Sequence, residues 1–165
     1  MRNKLLVAAL VLVGVASVAY AAFAQTLTIS GTGSATGTWD VAITNITQSS
    51  ATGATDNTAP SFNATSATFD VNLGYPGATA TYDVTVTNNG TIPAILNSIT
   101  DLATLNAAAP TYITYSVTGV TAGSTTLAAN GGTNVVQVTV TWDGASTSTG
   151  GSKVATITLD YGQDI

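Results

Sequence analysis

Along residues 80–87 apolar and polar positions alternate strictly. Tyr82, Val84 and Val86 face one way, and Thr81, Asp83, Thr85 and Thr87 the other. A period of two sends successive side chains to opposite faces of an extended chain, so this run predicts a half-buried β-strand. The alternation recurs at Val136, Val138, Val140 and Trp142. It recurs at Ala155, Ile157, Leu159 and Tyr161 in a strand over 153–161, and at Ile113, Tyr115 and Val117 over 112–118. Phe69, Val71 and Leu73 make a shorter strand. Trp39, Val41 and Ile43 alternate too, but Ile46 falls out of phase, which predicts a bulge or a strand end there. No window carries a capped 3.6-residue apolar period. The best helical candidate, residues 94–109, is broken by Asn, Ser and Thr.

Turn chemistry separates the runs: Asn88-Asn-Gly90, Tyr75-Pro-Gly77, Asn130-Gly-Gly132, Asp143-Gly144 and Thr149-Gly-Gly151. Short strands with polar outer faces between such turns predict an all-β fold, a single two-layer β-sandwich of jelly-roll-like or Ig-like type. Trp39 and Trp142, in phase with apolar neighbours, read as core plugs. Residues 47–68, polar and small, read as a long surface excursion.

Composition narrows the chemistry. The chain has 165 residues and 32 threonines, with no His and no Cys, and all eight acidic residues are Asp. Disulfides, thiolate or imidazole metal sites and a Ser-His-Asp triad are therefore excluded. From Gln25 onward one Lys stands against eight Asp, a net charge of −7. Such a surface repels phosphate, so no nucleic-acid partner is expected. Catalysis by an Asp pair needs an aromatic-lined cleft that this chain is poorly equipped to build. No enzyme activity, cofactor or small-molecule substrate is expected.

The first 24 residues read differently. Arg2 and Lys4 precede twenty uncharged residues, which end in Ala19-Tyr-Ala21 and Ala22-Phe-Ala24. Basic, then apolar, then small residues at A-x-A spacing form a secretory signal peptide, with cleavage expected after Ala24 or Ala21. A retained membrane anchor is long enough to span a bilayer, but no basic stop-transfer cluster follows. The processing signature of a type IV pilin is missing, because Lys4 runs directly into Leu5. The organisation is thus a signal peptide over 1–24, a strand and linker over 25–37, and a sandwich over 38–165. A secreted location is implied.

At the expected new N-terminus, Thr26-Leu-Thr-Ile-Ser30 alternates, with Leu27 and Ile29 on one side. A Gly/Ser/Thr tether, residues 31–37, follows it. Such a strand either folds back onto its own sheet or adds to the sheet of a neighbouring copy. Exchange is favoured if the subunit lacks a strand, because an open edge exposes unpaired backbone groups and apolar surface.

Two stretches carry a family resemblance: residues 27–46, running from Leu27 through Trp39 to Ile46, and residues 82–96, in which Tyr82, Val84, Val86, Asn88 and Gly90 form a Y-x-[IV]-x-[IV]-x-N-x-G strand and turn ahead of an Ile-Pro-Ala run. With the signal peptide, they resemble the TasA/camelysin-type biofilm fibre proteins and similar archaeal bundling pilins. The resemblance implies an exported structural subunit polymerised head to tail by donor-strand complementation, with the donor strand on Thr26, Leu27, Thr28, Ile29 and Ser30. It also implies filaments that bundle in an extracellular matrix, so the partners would be identical subunits and neighbouring filaments. The metallopeptidase role ascribed to some relatives does not carry over to a chain without His or Glu. The alternative is a monomeric extracellular sandwich that binds a glycan or cell-surface partner.

Asn45, Asn63 and Asn89 begin N-x-Thr sequons and are candidate N-glycosylation sites. Asn63 is favoured because it lies in the polar stretch, whereas Asn89 sits in a tight turn that needs its geometry. Lys153 reads as a solvated edge lysine; the rival reading is an isopeptide partner of Asp or Asn. Asp101, Asp143, Asp160 and Asp164 are scattered, and a Ca²⁺ site requires them to converge in space.

Overall fold

The computed structural model describes residues 27–164. The signal-peptide segment, both cleavage positions and Thr26 lie outside the described residues. The chain divides into two units, residues 1–35 and 36–165. Within the first, residues 27–35 carry no regular secondary structure and are exposed throughout.

The second unit is all-β. Its main sheet has four antiparallel strands: β1 (Val41–Thr52), β4 (Thr79–Asn88), β8 (Gly132–Trp142) and β6 (Ile113–Thr118), in that order. β4 shows how sequence makes the core. Ala80, Tyr82, Val84 and Val86 are buried, while the intervening Thr and Asp side chains stay on the outer face. β8 repeats the pattern with Val136, Val138, Val140 and Trp142. Full burial of each valine contributes on the order of 1.5–3 kcal/mol. The bulge expected before Ile46 is present, as the β1–β4 register shifts between Ile43 and Asn45.

The opposing layer is built from two smaller sheets. One is β7 (Thr126–Leu127), β5 (Ala94–Ile99) and β9 (Leu159–Gln163); the other is the hairpin of β2 (Ala54–Phe62) and β3 (Ala67–Leu73). Ala94 and Leu127 enter the buried core from the first, and Phe69, Val71 and Leu73 pack against it from the second. Phe69 stacks on Tyr82 with ring centroids 4.1 Å apart.

Three expectations are corrected. Residues 47–68 do lie at the surface, but not as an irregular excursion: they complete β1, form β2 and begin β3. Polar residues hid β2, which is pinned by polar contacts. Tyr82 donates its hydroxyl proton to Asp56, and Gln48 Nε2 donates to Asp56 Oδ1 at 3.0 Å. The helical candidate splits into strand β5 and a short helix, α1 (Leu102–Ala107). Asp101 caps α1, accepting from the N–H groups of Ala103 and Thr104. The Thr104 hydroxyl and those two N–H groups lower the Asp101 carboxyl below its ordinary value. Finally, the strand expected over 153–161 has ladder partners only from Leu159 onward. Its partner β5 ends at Ile99, where the chain turns into α1, so residues 153–158 run past it.

Asn88 ties the layers together. It is fully buried; its Nδ2 donates to Ile92 O at 2.8 Å and to Leu127 O at 3.4 Å, and its Oδ1 accepts from Gly90 N at 3.0 Å. Gly90 is needed for close approach, since a Cβ there would overlap Thr38 O and Asp40 N.

Three tyrosines, Tyr82 and Tyr115 buried and Tyr161 half-buried, make the fold alkali-sensitive. Burial pushes the Tyr82, Tyr115 and Tyr161 hydroxyls up from their ordinary value, and at Tyr82 proton donation to Asp56 adds to the effect. The folded state therefore keeps protons that the unfolded chain releases. This stability is fully present below about pH 10, the unfolded tyrosine value, and is lost as pH rises through the raised folded values. Each tyrosine that stays protonated contributes a slope of up to about 1.4 kcal/mol per pH unit above that point. Urea midpoints should be flat from pH 7 to about 9.5 and fall steeply above about 10. A flat profile to pH 12 would contradict this.

Candidate functional site

The alternation in residues 153–161 survives without a ladder. Ala155, Ile157, Leu159 and Tyr161 are half-buried and pack against the core, while Val154, Thr156, Thr158 and Asp160 are exposed. This is a strand in all but partners. Among the described residues, the backbones of Val154, Ala155, Thr156 and Ile157 take part in no hydrogen bond. The segment is held at its ends. Tyr115 Oη donates to Lys153 O at 2.8 Å, Thr158 N donates to Thr100 Oγ1 at 2.7 Å, and Thr100 N donates to Thr158 O at 3.0 Å.

Across from this segment lies the β2–β3 hairpin, whose β3 pairs with β2 alone among the described residues. Between the two opens a groove of about 640 Å³. Its floor is the inner face of the main sheet, with Ile46, Val84, Val86, Val136 and Val138. One wall is residues 155–161 and the other is residues 64–69. Trp39, Val41 and Ile43 stand along the β1 side. The hairpin wall is fixed where Ile43 N donates to Ala64 O at 2.9 Å.

The groove joins an apolar sheet face to an extended wall segment. Small-molecule pockets converge a few polar side chains on one ligand. Here the floor is aliphatic, and along the extended wall the backbone N–H and C=O groups of residues 154–157 have no partner among the described residues. An edge of that kind is matched by another β-strand, whose alternate side chains fill the apolar floor.

Trp39 corrects an expectation. Trp142 is buried, but Trp39 is 46% exposed at the groove. Its phase with Val41 and Ile43 is as the sequence indicates, but those two are half-buried against the core while Trp39 stands exposed at the groove. In this chain, Leu27 and Ile29 of the segment expected to be a donor strand are 83% and 97% exposed, and Thr28 and Ser30 are exposed as well.

The other candidates fall elsewhere. Asn45 is exposed on β1. Asn89 is exposed after β4, and the turn geometry there rests on Asn88 instead. Asn63 is exposed in the β2–β3 turn, where its Oδ1 accepts from Thr65 N, Thr65 Oγ1 and Ser66 N. Lys153 is not a solvated edge lysine. Its Nζ donates to the carbonyls of Asn106, Ala108 and Pro110 at 3.0, 2.8 and 3.3 Å, bracing the end of α1 against the groove wall. Those three partners are backbone oxygens, not the side-chain carboxyl or amide of an isopeptide bond. Among the described residues no cluster of three carboxylates forms a cation site.

The sequence missed the groove because its lining alternates like any sandwich core. The one available signal was Trp39, a large aromatic ahead of the bulge and next to the tether. Comparison of the chain with protein-family models, curated proteins and solved structures finds no match.

Proposed function

We propose that this protein is an exported structural subunit that polymerises head to tail, the strand around Leu27 and Ile29 of one copy filling the groove of the next. The role is structural, not catalytic, and the product is an extracellular filament that bundles with others in a biofilm matrix. The observation that carries this reading is the groove: an apolar floor flanked by the backbone of residues 154–157 and the edge of β3, which find no partner there among the described residues. A contact from the leading end of one copy to the body of the next does not close on itself, so its repetition yields a fibre. The seven-residue tether supplies the reach between copies. Sugar on Asn45, Asn63 or Asn89 is compatible with filament growth, because all three are exposed.

Deleting residues 25–35 tests the reading. Filaments visible by negative stain should vanish while the sandwich stays folded; filaments of unchanged number would refute it. Fluorescence gives a second readout. Trp142 is already buried, so strand insertion should move only the emission of Trp39, to shorter wavelength, and Trp39→Phe should remove the shift. Emission unchanged by assembly would count against insertion.

The exposed Trp39 also favours a second reading, a monomeric module that stacks a glycan ring on the indole. It predicts a stable monomer and a Trp39 signal that responds to sugar and not to protein concentration.

A further inference from the structure

The two walls of the groove run in opposite directions. The main sheet has an Asn88 end, where Val41 pairs with Asn88, and a Thr79 end, where Thr52 pairs with Thr79. The wall formed by residues 155–161 starts at the Thr79 end. Just before it, Lys153 O accepts from the Tyr115 hydroxyl; Tyr115 pairs with Val140, and Val140 with Ala80. This wall finishes at the Asn88 end, where Gln163 pairs with Ala94 and Asp164 N donates to Pro93 O at 3.0 Å. Strand β3 runs the other way. Ala64 O accepts from Ile43 N, and Ile43 pairs with Val86 near the Asn88 end. Leu73 pairs with Ala54, two residues past Thr52, at the Thr79 end.

Both walls turn a backbone edge to the groove. In an extended strand the N–H and C=O of one residue point to one edge, and those of the next residue to the other. Thr158 and Asp164 bond toward the β5 side, so Ala155, Ile157, Leu159 and Tyr161 present their backbone groups to the groove. Ser66 and Gly74 bond toward the β2 side, so Ala67, Phe69 and Val71 face the groove from β3. A strand set between antiparallel neighbours must be parallel to one and antiparallel to the other.

The place where the chain joins the sandwich decides which. Thr38 O accepts from Thr91 N at 3.0 Å and Asp40 O from Asn89 N at 2.8 Å, so the tether meets the body at the Asn88 end. Its seven residues span at most about 25 Å, whereas the wall from 155 to 161 is about 20 Å long. Too little remains to run back along the groove and turn. A copy filling its own groove would therefore bring Ser30 in at the Asn88 end, with the strand parallel to residues 155–161. Two copies meeting by their Asn88 ends would exchange strands in that same sense and close as a dimer. A neighbour that offers its Thr79 end keeps its own tether at the far side, and growth stays open. We infer that the neighbour's strand enters at the Thr79 end, Ser30 at the mouth and Leu27 deeper, antiparallel to residues 155–161 and parallel to β3. The inference rests on the polymerisation proposed above and gives the fibre its polarity: the Asn88 end of each copy faces the Thr79 end of the next.

The test reads the direction of the strand by disulfides in the full chain, at positions the sandwich does not need to fold. Thr28 and Ser30 are exposed, as are Val154, Thr156, Thr158 and Asp160 on the outer side of the wall. Thr28→Cys and Ser30→Cys are each combined with Val154→Cys, Thr156→Cys, Thr158→Cys and Asp160→Cys, then assembled and oxidised. In the resulting ladder of cross-linked chains, the best wall partner of Ser30→Cys should lie two residues before that of Thr28→Cys. Positions on one side of a strand are about 6.6 Å apart and a disulfide needs Cα atoms within about 7 Å, so matched pairs should exceed the others at least about tenfold. A ladder in the reverse order, the partner of Ser30→Cys two residues after that of Thr28→Cys, would overturn the inference and leave polymerisation standing. Filaments that cross-link at none of these pairs would overturn it too, since the strand would not lie along this wall. Cross-linked monomers, or dimers and nothing longer, would overturn the polymerisation reading and this inference with it.

Discussion

Ile29→Lys should abolish filament growth while leaving the subunit folded. Ile29 is 97% exposed in the single chain, so the substitution costs the free subunit almost nothing. In the groove of the next copy the side chain would meet the aliphatic floor formed by Val84, Val86, Val136 and Val138. Losing a buried isoleucine forfeits about 1.5–3 kcal/mol. Lodging an unpaired ammonium there costs several kcal/mol more. Together they weaken each junction by at least about 4 kcal/mol, or roughly a thousandfold in association constant. Every junction in the fibre carries the same defect. Circular dichroism and melting of the dispersed variant should match the parent, with no filaments in the microscope. Ile29→Val, which removes one methylene, should still polymerise. Normal fibres from Ile29→Lys would mean that this side chain does not enter an apolar groove.

The second large effect is expected at Asn88. Asn88→Ala removes three hydrogen bonds at a fully buried position. It leaves the Gly90 N–H and the Ile92 carbonyl without this side chain as partner, and each buried orphan costs about 1–3 kcal/mol. The expected loss is about 3–5 kcal/mol, a drop in Tm of the order of 10–20 °C for a domain of this size. Asn88→Asp keeps the acceptor for Gly90 but sets a charge against two carbonyl oxygens, so it should be at least as damaging. A Tm within about 3 °C of the parent would show that the turn after β4 does not depend on this side chain.

The strands of the main sheet could be read from the sequence because each buries one face and leaves the other to solvent. Tyr82, Val84 and Val86 alternate with Thr and Asp, and the structure keeps that phase. Ile46 likewise betrayed its bulge by falling out of step. Strand β2 escaped, though β3 was legible in Phe69, Val71 and Leu73, because the contacts of β2 are polar: Asp56 is held by Gln48 and Tyr82, and periodicity registers apolar burial only. Residues 153–158 show the converse failure. Their alternation is real, but it reports which side chains face the core and is silent on whether the backbone has a neighbour. The groove lay in that blind spot. A strand that lines a gap and a strand that fills one carry the same pattern of side chains, and only the three-dimensional layout separates them. Trp39 was misplaced for the same reason, being in phase with a core that has no cover at its position.

Disulfide trapping is the most direct measurement. The chain has no cysteine of its own, so two introduced thiols report on each other alone. Ile29→Cys is paired in turn with Ala155→Cys, Ile157→Cys and Leu159→Cys on the groove wall, and the assembled protein is oxidised and run under denaturing, non-reducing conditions. A strand donated between copies gives a ladder of dimers, trimers and longer chains for at least one wall position, collapsing to monomer on reduction. A strand that closes its own groove gives a compact cross-linked monomer and no ladder, and that result would contradict donation between subunits.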